Sequence, residues 1–241
     1  MGNIYDSEEF FGEYSKMLRS REGLSGAGEW SRFRLMFPNL GGKRVLDLGC
    51  GYGWHCKYAA ELGAGYVLGI DSSEKMIGEA KRRNSDPRIE YRVCSIEEYE
   101  YPENEFDCAV SNLALHYIED IETVYGKIYR TLRGGGAFLL NIEHPTFTAG
   151  VDQDWYYGPD GKPLFWPVDD YFYTGERETK FLGRRVKKFH HTLTQIVMGL
   201  INSGFKIAAL EEAGPPAEMM DVPGMADEMR RPMMLLIKAV K

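Results

Sequence analysis

Residues 44–53 read Arg-Val-Leu-Asp-Leu-Gly-Cys-Gly-Tyr-Gly, an apolar strand running straight into three glycines spaced two apart. Val45, Leu46 and Leu48 supply a short buried strand, and Gly49, Gly51 and Gly53 supply a turn without side chains in the way. Polar atoms of a ligand then meet bare backbone N–H groups at the start of the next helix. Twenty residues past Gly51 the run Tyr66-Val-Leu-Gly-Ile ends on Asp71. A carboxylate at the end of a second strand is where a doubly wound α/β fold holds the two hydroxyls of a ribose.

Two details set this loop apart from a dinucleotide site. The third glycine of that fingerprint would fall at position 54, which is Trp54. Asp47 is a carboxylate expected at the mouth of the loop, where it repels a pyrophosphate and attracts an ammonium. A nicotinamide-dependent oxidoreductase is disfavoured on both counts.

Strand and helix signals alternate along most of the 241 residues. They predict an α/β Rossmann-like, doubly wound sheet of seven strands with helices on both faces. Helices are expected at Trp54 to Leu62, after a cap at Ser72 or Ser73, from Asp120 to Leu132, and from Leu193 to Ile201. Strands are expected at 89–93, 106–111, 137–142, 205–210 and 233–240, with a long loop over 211–232. The last two strands, with no helix pair between them, form an antiparallel hairpin at the sheet edge, so the sheet is mostly parallel with an antiparallel last strand. The rhythm breaks over 144–188, which is rich in Trp and Tyr without periodicity. The expectation is one domain over 1–241, with an N-terminal helical cap over 1–40 and a lid-like insertion over 144–188.

Composition narrows the partners. A net charge of −7 argues against nucleic acid. One basic patch, Arg177 to Lys188, is read as a solvated loop or hairpin, with attraction of an anionic substrate as the sharper alternative. No apolar run approaches a membrane span, and the acidic start, Gly2 included, carries neither a signal peptide nor a myristoylation pattern. Cys50, Cys56, Cys94 and Cys108 form no C-x-x-C pair and are expected to be reduced thiols of a cytoplasmic protein. No spacing predicts a metal site.

The arrangement Asp47-x-Gly49-x-Gly51-x-Gly53 followed by Asp71 resembles the class I S-adenosylmethionine-dependent methyltransferases. Phe106-Asp107, Ser111-Asn-Leu-Ala-Leu-His-Tyr-Ile118 and Leu132-Arg-Gly-Gly-Gly136 are similar to the small-molecule enzymes of ubiquinone and menaquinone biosynthesis. The resemblance implies S-adenosylmethionine as cofactor and in-line methyl transfer to a small organic acceptor. The alternative is a catalytically inactive S-adenosylmethionine-binding sensor or partner subunit. The resemblance places Asp47, Gly49, Cys50, Gly51 and Gly53 around the methionine part and Asp71 on the ribose. Ser72 and Met76 flank the adenine, and Asn112 and Leu113 sit beside the sulfonium. Ser95 and Ile96 stand where the family usually has an Asp and a backbone donor, with Glu97 as compensation.

For catalysis the candidates are His116 and His144, both at carboxyl ends of strands, where open α/β sheets bind ligands. His55 is read as structural or cofactor-adjacent. Tyr14, Trp155, Trp166, Tyr171, His190 and His191 are the substrate candidates, with Arg19 and Trp30 contributing from the N-terminal side. One of the paired histidines is a candidate cap for the helix that follows. Oligomeric state and acceptor identity are not legible at this level.

Overall fold

The computed structural model describes residues 3–150 and 152–241, so Gly2 and the first residue of the stretch read against a signal peptide lie outside the described residues. Its core is the strand–turn–helix that the glycines demand. β1 (Arg44–Leu48) feeds the loop, and α4 (Trp54–Glu61) follows it. β2 (Tyr66–Asp71), α5 (Glu74–Arg83) and β3 (Ile89–Val93) repeat the unit. β4 (Phe106–Asn112), α6 (Ile121–Thr131) and β5 (Leu132–Glu143) continue the sheet on the other side of β1. α8 (Leu193–Asn202), β10 (Lys206–Ala213) and β11 (Met234–Val240) complete it, after an insertion described below.

The seven strands lie in the order β10-β11-β5-β4-β1-β2-β3. β11 is antiparallel to both neighbours, and the strands from β5 through β3 run parallel. The order reverses beside β1, between β4 and β2, which leaves a crevice over the carboxyl ends of the strands. Alternation along the strands sorts the core into two layers. Leu46, Leu48, Leu68 and Ile70 pack with Ile121, Tyr125, Ile128 and Leu200 of α6 and α8. Val45, Val67, Cys56, Ala59, Ile77 and Ala80 form the layer beneath α4 and α5.

Several sequence expectations shift. β5 begins at Leu132 and runs through Gly134 to Gly136, because the Leu132-to-Gly136 stretch pairs back onto Phe106 and the chain terminus. β10 extends to Ala213, so Glu211 and Glu212 belong to a strand paired with Leu236 and Leu235, and the long loop starts later. That loop holds a short helix, α9 (Met225–Glu228).

The insertion, aperiodic in sequence, contains α7 (Pro145–Ala149) and two antiparallel hairpins. They are β6 (Tyr156–Tyr157) with β7 (Pro163–Phe165), and β8 (Gly175–Phe181) with β9 (Arg184–His190). The basic patch is this second hairpin. Arg185 pairs with Glu178 at 2.8 Å and Lys187 with Glu176 at 2.6 Å, both at exposed positions. Thr192, not a histidine, caps α8 through a capping box with Gln195.

The N-terminal stretch forms α1 (Glu8–Lys16), α2 (Leu18–Glu22) and α3 (Trp30–Phe33) and folds over the crevice. Asp6 holds it down by accepting from Ser73 Oγ (2.6 Å) and from the Lys75 N–H (3.1 Å) at the start of α5. The Tyr5 and Tyr117 hydroxyls meet at 2.7 Å, and Glu9 pairs with Arg184 of the hairpin. Among the described residues, no helix is long and apolar enough to cross a membrane.

Candidate functional site

A cavity of about 1100 Å³ lies over the switch point, beneath the N-terminal helices and the β8–β9 hairpin. Its floor begins at the glycine loop. Gly51 sits at φ +51°, and a Cβ built there meets no atom within 4 Å, so that position faces open space. Gly53 has a different reason to be glycine. At φ +76° it opens α4, and a Cβ there would press on the Tyr91 ring.

Asp71, at the end of β2, accepts from the Gly51 N–H and the Ser73 N–H, both at 2.9 Å. It ties the loop to the next helix and keeps lone pairs for a ligand's hydroxyls. Burial pushes its carboxyl up to about 6, with the two N–H bonds resisting that rise. Ser72, Met76, Ser95, Ile96 and Glu97 line the same end of the cavity. Ser95 is engaged locally: its hydroxyl accepts from the Glu98 N–H (3.2 Å) and donates to the Glu98 carboxylate (2.9 Å). Gly49, Cys50, Asn112 and Leu113 line the middle. Leu113 holds φ +54°, a strained setting for a leucine that recurs where a site fixes the backbone.

Asp47 is not at the mouth of the loop. It points to the α4 side of the sheet with Val45, is 1% exposed, and does not line the cavity. Its Oδ2 accepts from Cys56 Sγ at 3.1 Å and its Oδ1 has no partner. Burial pushes its carboxyl up to about 7, resisted by the Cys56 bond. The repulsion of a pyrophosphate inferred from the sequence therefore loses force. Because the folded pKa lies above the unfolded value, the stabilisation is complete below about pH 4 and is lost as pH rises through about 7. Asp47→Asn should therefore gain roughly 3 kcal/mol over the parent between about pH 5 and 8, read as diverging denaturation midpoints.

A carboxylate that does line the cavity beside the N-terminal helices is Glu29, just before α3. It is 5% exposed, pairs with Arg19 at 3.2 Å and accepts from Asn141 Nδ2 at 3.1 Å. Asn141 also donates to Asn112 Oδ1 at 2.8 Å, so the pair is anchored on the ends of β4 and β5. Arg19, Glu29, Tyr14 and Trp30 all line the cavity. Glu29 and Asn141 had escaped the sequence reading, because their contact spans 112 residues and no local pattern marks it.

The far end is lined by His116, Tyr117, Glu143, Phe181, Val186 and Lys188. Lys188 Nζ meets Glu143 Oε1 at 2.5 Å, with both side chains buried, and His116 Nε2 lies 3.9 Å from the same oxygen. Burial lowers His116 to about 4, so the imidazole is neutral near pH 7. Glu143 and Lys188 were also missed. The one available signal was the alternation Val186, Lys188, His190 along one face of β9.

The remaining candidates lie elsewhere. His144 caps α7, its Nδ1 accepting from the Thr146 N–H at 3.0 Å, with Nε2 2.8 Å from Glu212. Trp166 stacks on Phe147 at 5.1 Å, donates to the Thr146 carbonyl, and with Trp155 faces the Arg231 guanidinium, 4.0 Å from the Trp166 ring. Tyr171 accepts from the Leu193 N–H, and His190 is held between Thr148 and the Tyr171 carbonyl. His191 donates to the Ile118 carbonyl at 3.0 Å. None of these six lines the cavity, because each ring or polar atom is taken up in seating the insertion on the sheet. Among the described residues, no group of three His, Cys, Asp or Glu is placed to hold a metal, and all four cysteines are free.

Comparison with known proteins places the fold and the loop together. Residues 46–140 match the family described as "Methyltransferase domain". A Listeria monocytogenes protein assigned to the S-adenosylmethionine dependent methyltransferases is 47% identical, with a TM-score of 0.87 over 91% of this chain and 99% of its own. An S-adenosylmethionine dependent methyltransferase from Mesorhizobium loti is 41% identical, with a TM-score of 0.84 over 91% of this chain and 100% of its own. The mitochondrial ubiquinone biosynthesis O-methyltransferase of Homo sapiens is 35% identical over 44% of this chain and 30% of its own length. With its seven-stranded sheet, glycine loop and acidic strand end, the chain belongs to the class I S-adenosylmethionine-dependent methyltransferases.

Proposed function

We propose that this methyltransferase acts on a small organic acceptor, held beneath the N-terminal helices and the β8–β9 hairpin, in the manner of the ubiquinone-biosynthesis enzymes. The observation that carries the reading is the continuous cavity from Asp71 to His116 and Glu143. At about 1100 Å³ it exceeds the usual room for one drug-sized ligand, which leaves space for an acceptor beside the cofactor. S-adenosylmethionine supplies an activated methyl carbon when bound.

The residues fit it end by end. Asp71 takes the ribose hydroxyls, while Ser72, Met76, Ile96 and Glu97 surround the adenine. Gly49, Cys50 and Gly51 let the chain of the ligand pass against bare backbone. The zwitterionic amino-acid end meets a zwitterionic pair, its ammonium facing Glu29 and its carboxylate facing Arg19. Leu113 and Asn112 border the reacting centre. The helices over it exclude water and hold donor and acceptor in attack geometry, which is most of what this chemistry asks of a protein.

Asp71→Asn should weaken S-adenosylhomocysteine about tenfold, because a neutral amide accepts less strongly than a carboxylate. In the parent, affinity should be flat above about pH 6 and fall below it, as Asp71 protonates. Calorimetric titrations across pH check both. Incubating the chain with small-metabolite pools and methyl-labelled cofactor tests the function itself. Label should enter a small organic product with the parent chain and not with Gly51→Val; label confined to macromolecules would contradict the small-acceptor reading.

A further inference from the structure

We propose that the outer edge formed by β10 and α8 is an interface with a second copy of this chain, the two copies related by a two-fold axis at Ala209. It is independent of the methyl-transfer reading. α6 and α8 lie on one face of the sheet and treat solvent differently. The outer face of α6 carries Glu122, Thr123 and Arg130, as a solvated helix should. α8 is apolar on both faces: Ile196 and Leu200 enter the core, while Leu193, Met198 and Ile201 are exposed. A helix apolar all round is normally covered all round.

Gly199 fixes which way the uncovered stripe looks. A Cβ there would stand 3.2 Å from Glu122 and 3.3 Å from Tyr125, so this side of α8 rests on α6. Leu193, Val197 and Ile201 follow one another at four-residue spacing about half a turn round from Gly199, away from α6 and over β10. β10 is the edge of the seven-stranded sheet. β11 takes one side of it, and among the described residues no other segment bonds to the backbone of Lys206 to Ala213. Leu210, opposite Ile237 on the α8 face, is 46% exposed at this open edge.

The strand is complementary to itself. Its register slips between Ile207 and Ala209, which leaves Ala208 as the extra residue. Antiparallel pairing centred on Ala209 then sets Ile207 opposite Leu210 of the other copy, beside the two α8 stripes. On the other face it sets Lys206 opposite Glu211, and each pair occurs twice by symmetry. The next register, centred on Leu210, would instead oppose Ile207 to Glu212. Pairing also satisfies the open N–H and C=O groups of the edge. A lipid surface calls for cations beside the stripe, where α6 presents Glu122.

Sedimentation equilibrium of the full chain at micromolar concentration should give twice the mass of one chain. Ile201→Glu should weaken self-association by roughly a hundredfold or more, with circular dichroism unchanged. Lys206→Glu and Glu211→Lys should each weaken it roughly tenfold, and mixing the two variants should restore it, because each then meets the opposite charge. The charge pair decides alone if Ile201→Glu does not fold. A parent that sediments as one chain, a dimer indifferent to Ile201→Glu, or a mixture no tighter than its components overturns the proposal. A monomeric parent that floats with vesicles of phosphatidylcholine and phosphatidylglycerol would assign the stripe to a lipid surface instead.

Discussion

Gly51→Val should abolish measurable binding of S-adenosylmethionine, a loss of roughly a hundredfold or more in affinity, while the chain stays folded. Two effects act in the same direction. At φ +51° a β-branched residue is strained, and the loop will move to relieve it. A Cβ at this position meets nothing within 4 Å, so the isopropyl group projects into the space that a ligand would occupy. The fold is expected to survive because no core residue is displaced. Circular dichroism should therefore be unchanged, while calorimetry shows no heat of binding. An affinity within a few-fold of the parent would mean that the ligand does not pass over this loop.

Glu29→Gln should weaken S-adenosylhomocysteine roughly 10–100-fold, the scale of a hydrogen bond to a charged group. Methylthioadenosine, which has the same nucleoside but no amino-acid end, should bind the variant and the parent equally. That contrast separates a lost ammonium contact from general damage to the site. Equal losses for both ligands would mean that Glu29 only braces Asn141 and Arg19. Asp47, the carboxylate of the glycine motif, is expected to show no such ligand dependence, because it lies outside the cavity.

The contrast between Asp47 and Glu29 shows what a sequence carries and what it does not. The strand, the glycines and Asp71 are legible because local rules fix them: strand burial, positive φ, and a helix start within a few residues. The sheet and its antiparallel last strand follow from the alternation of elements, and of the two serines read as caps, Ser72 and Ser73, it is Ser73 that caps α5. Which way Asp47 points depends on its register in β1, where it shares a face with Val45 and meets Cys56 of α4. The acceptor end is assembled from residues distant in the chain. Lys188 and Glu143 are 45 residues apart, and only the fold of the insertion brings them together. The aromatic residues of that insertion drew attention as a cover for the cavity. Burying Trp155, Trp166 and Tyr171 against Arg231, Phe147 and the start of α8 stabilises the insertion itself, and the cover comes from β8–β9 and the N-terminal helices. Aromatic density marks a place that needs packing, and it does not say which surface will be packed against.

The central claim is that this crevice is built for S-adenosylmethionine, and one calorimetric titration tests it most directly. S-adenosylmethionine and S-adenosylhomocysteine should each bind saturably at one site, compete with one another, and leave NADH without measurable heat. Saturable binding of NADH, or none of either sulfur ligand by the folded chain, would contradict the account.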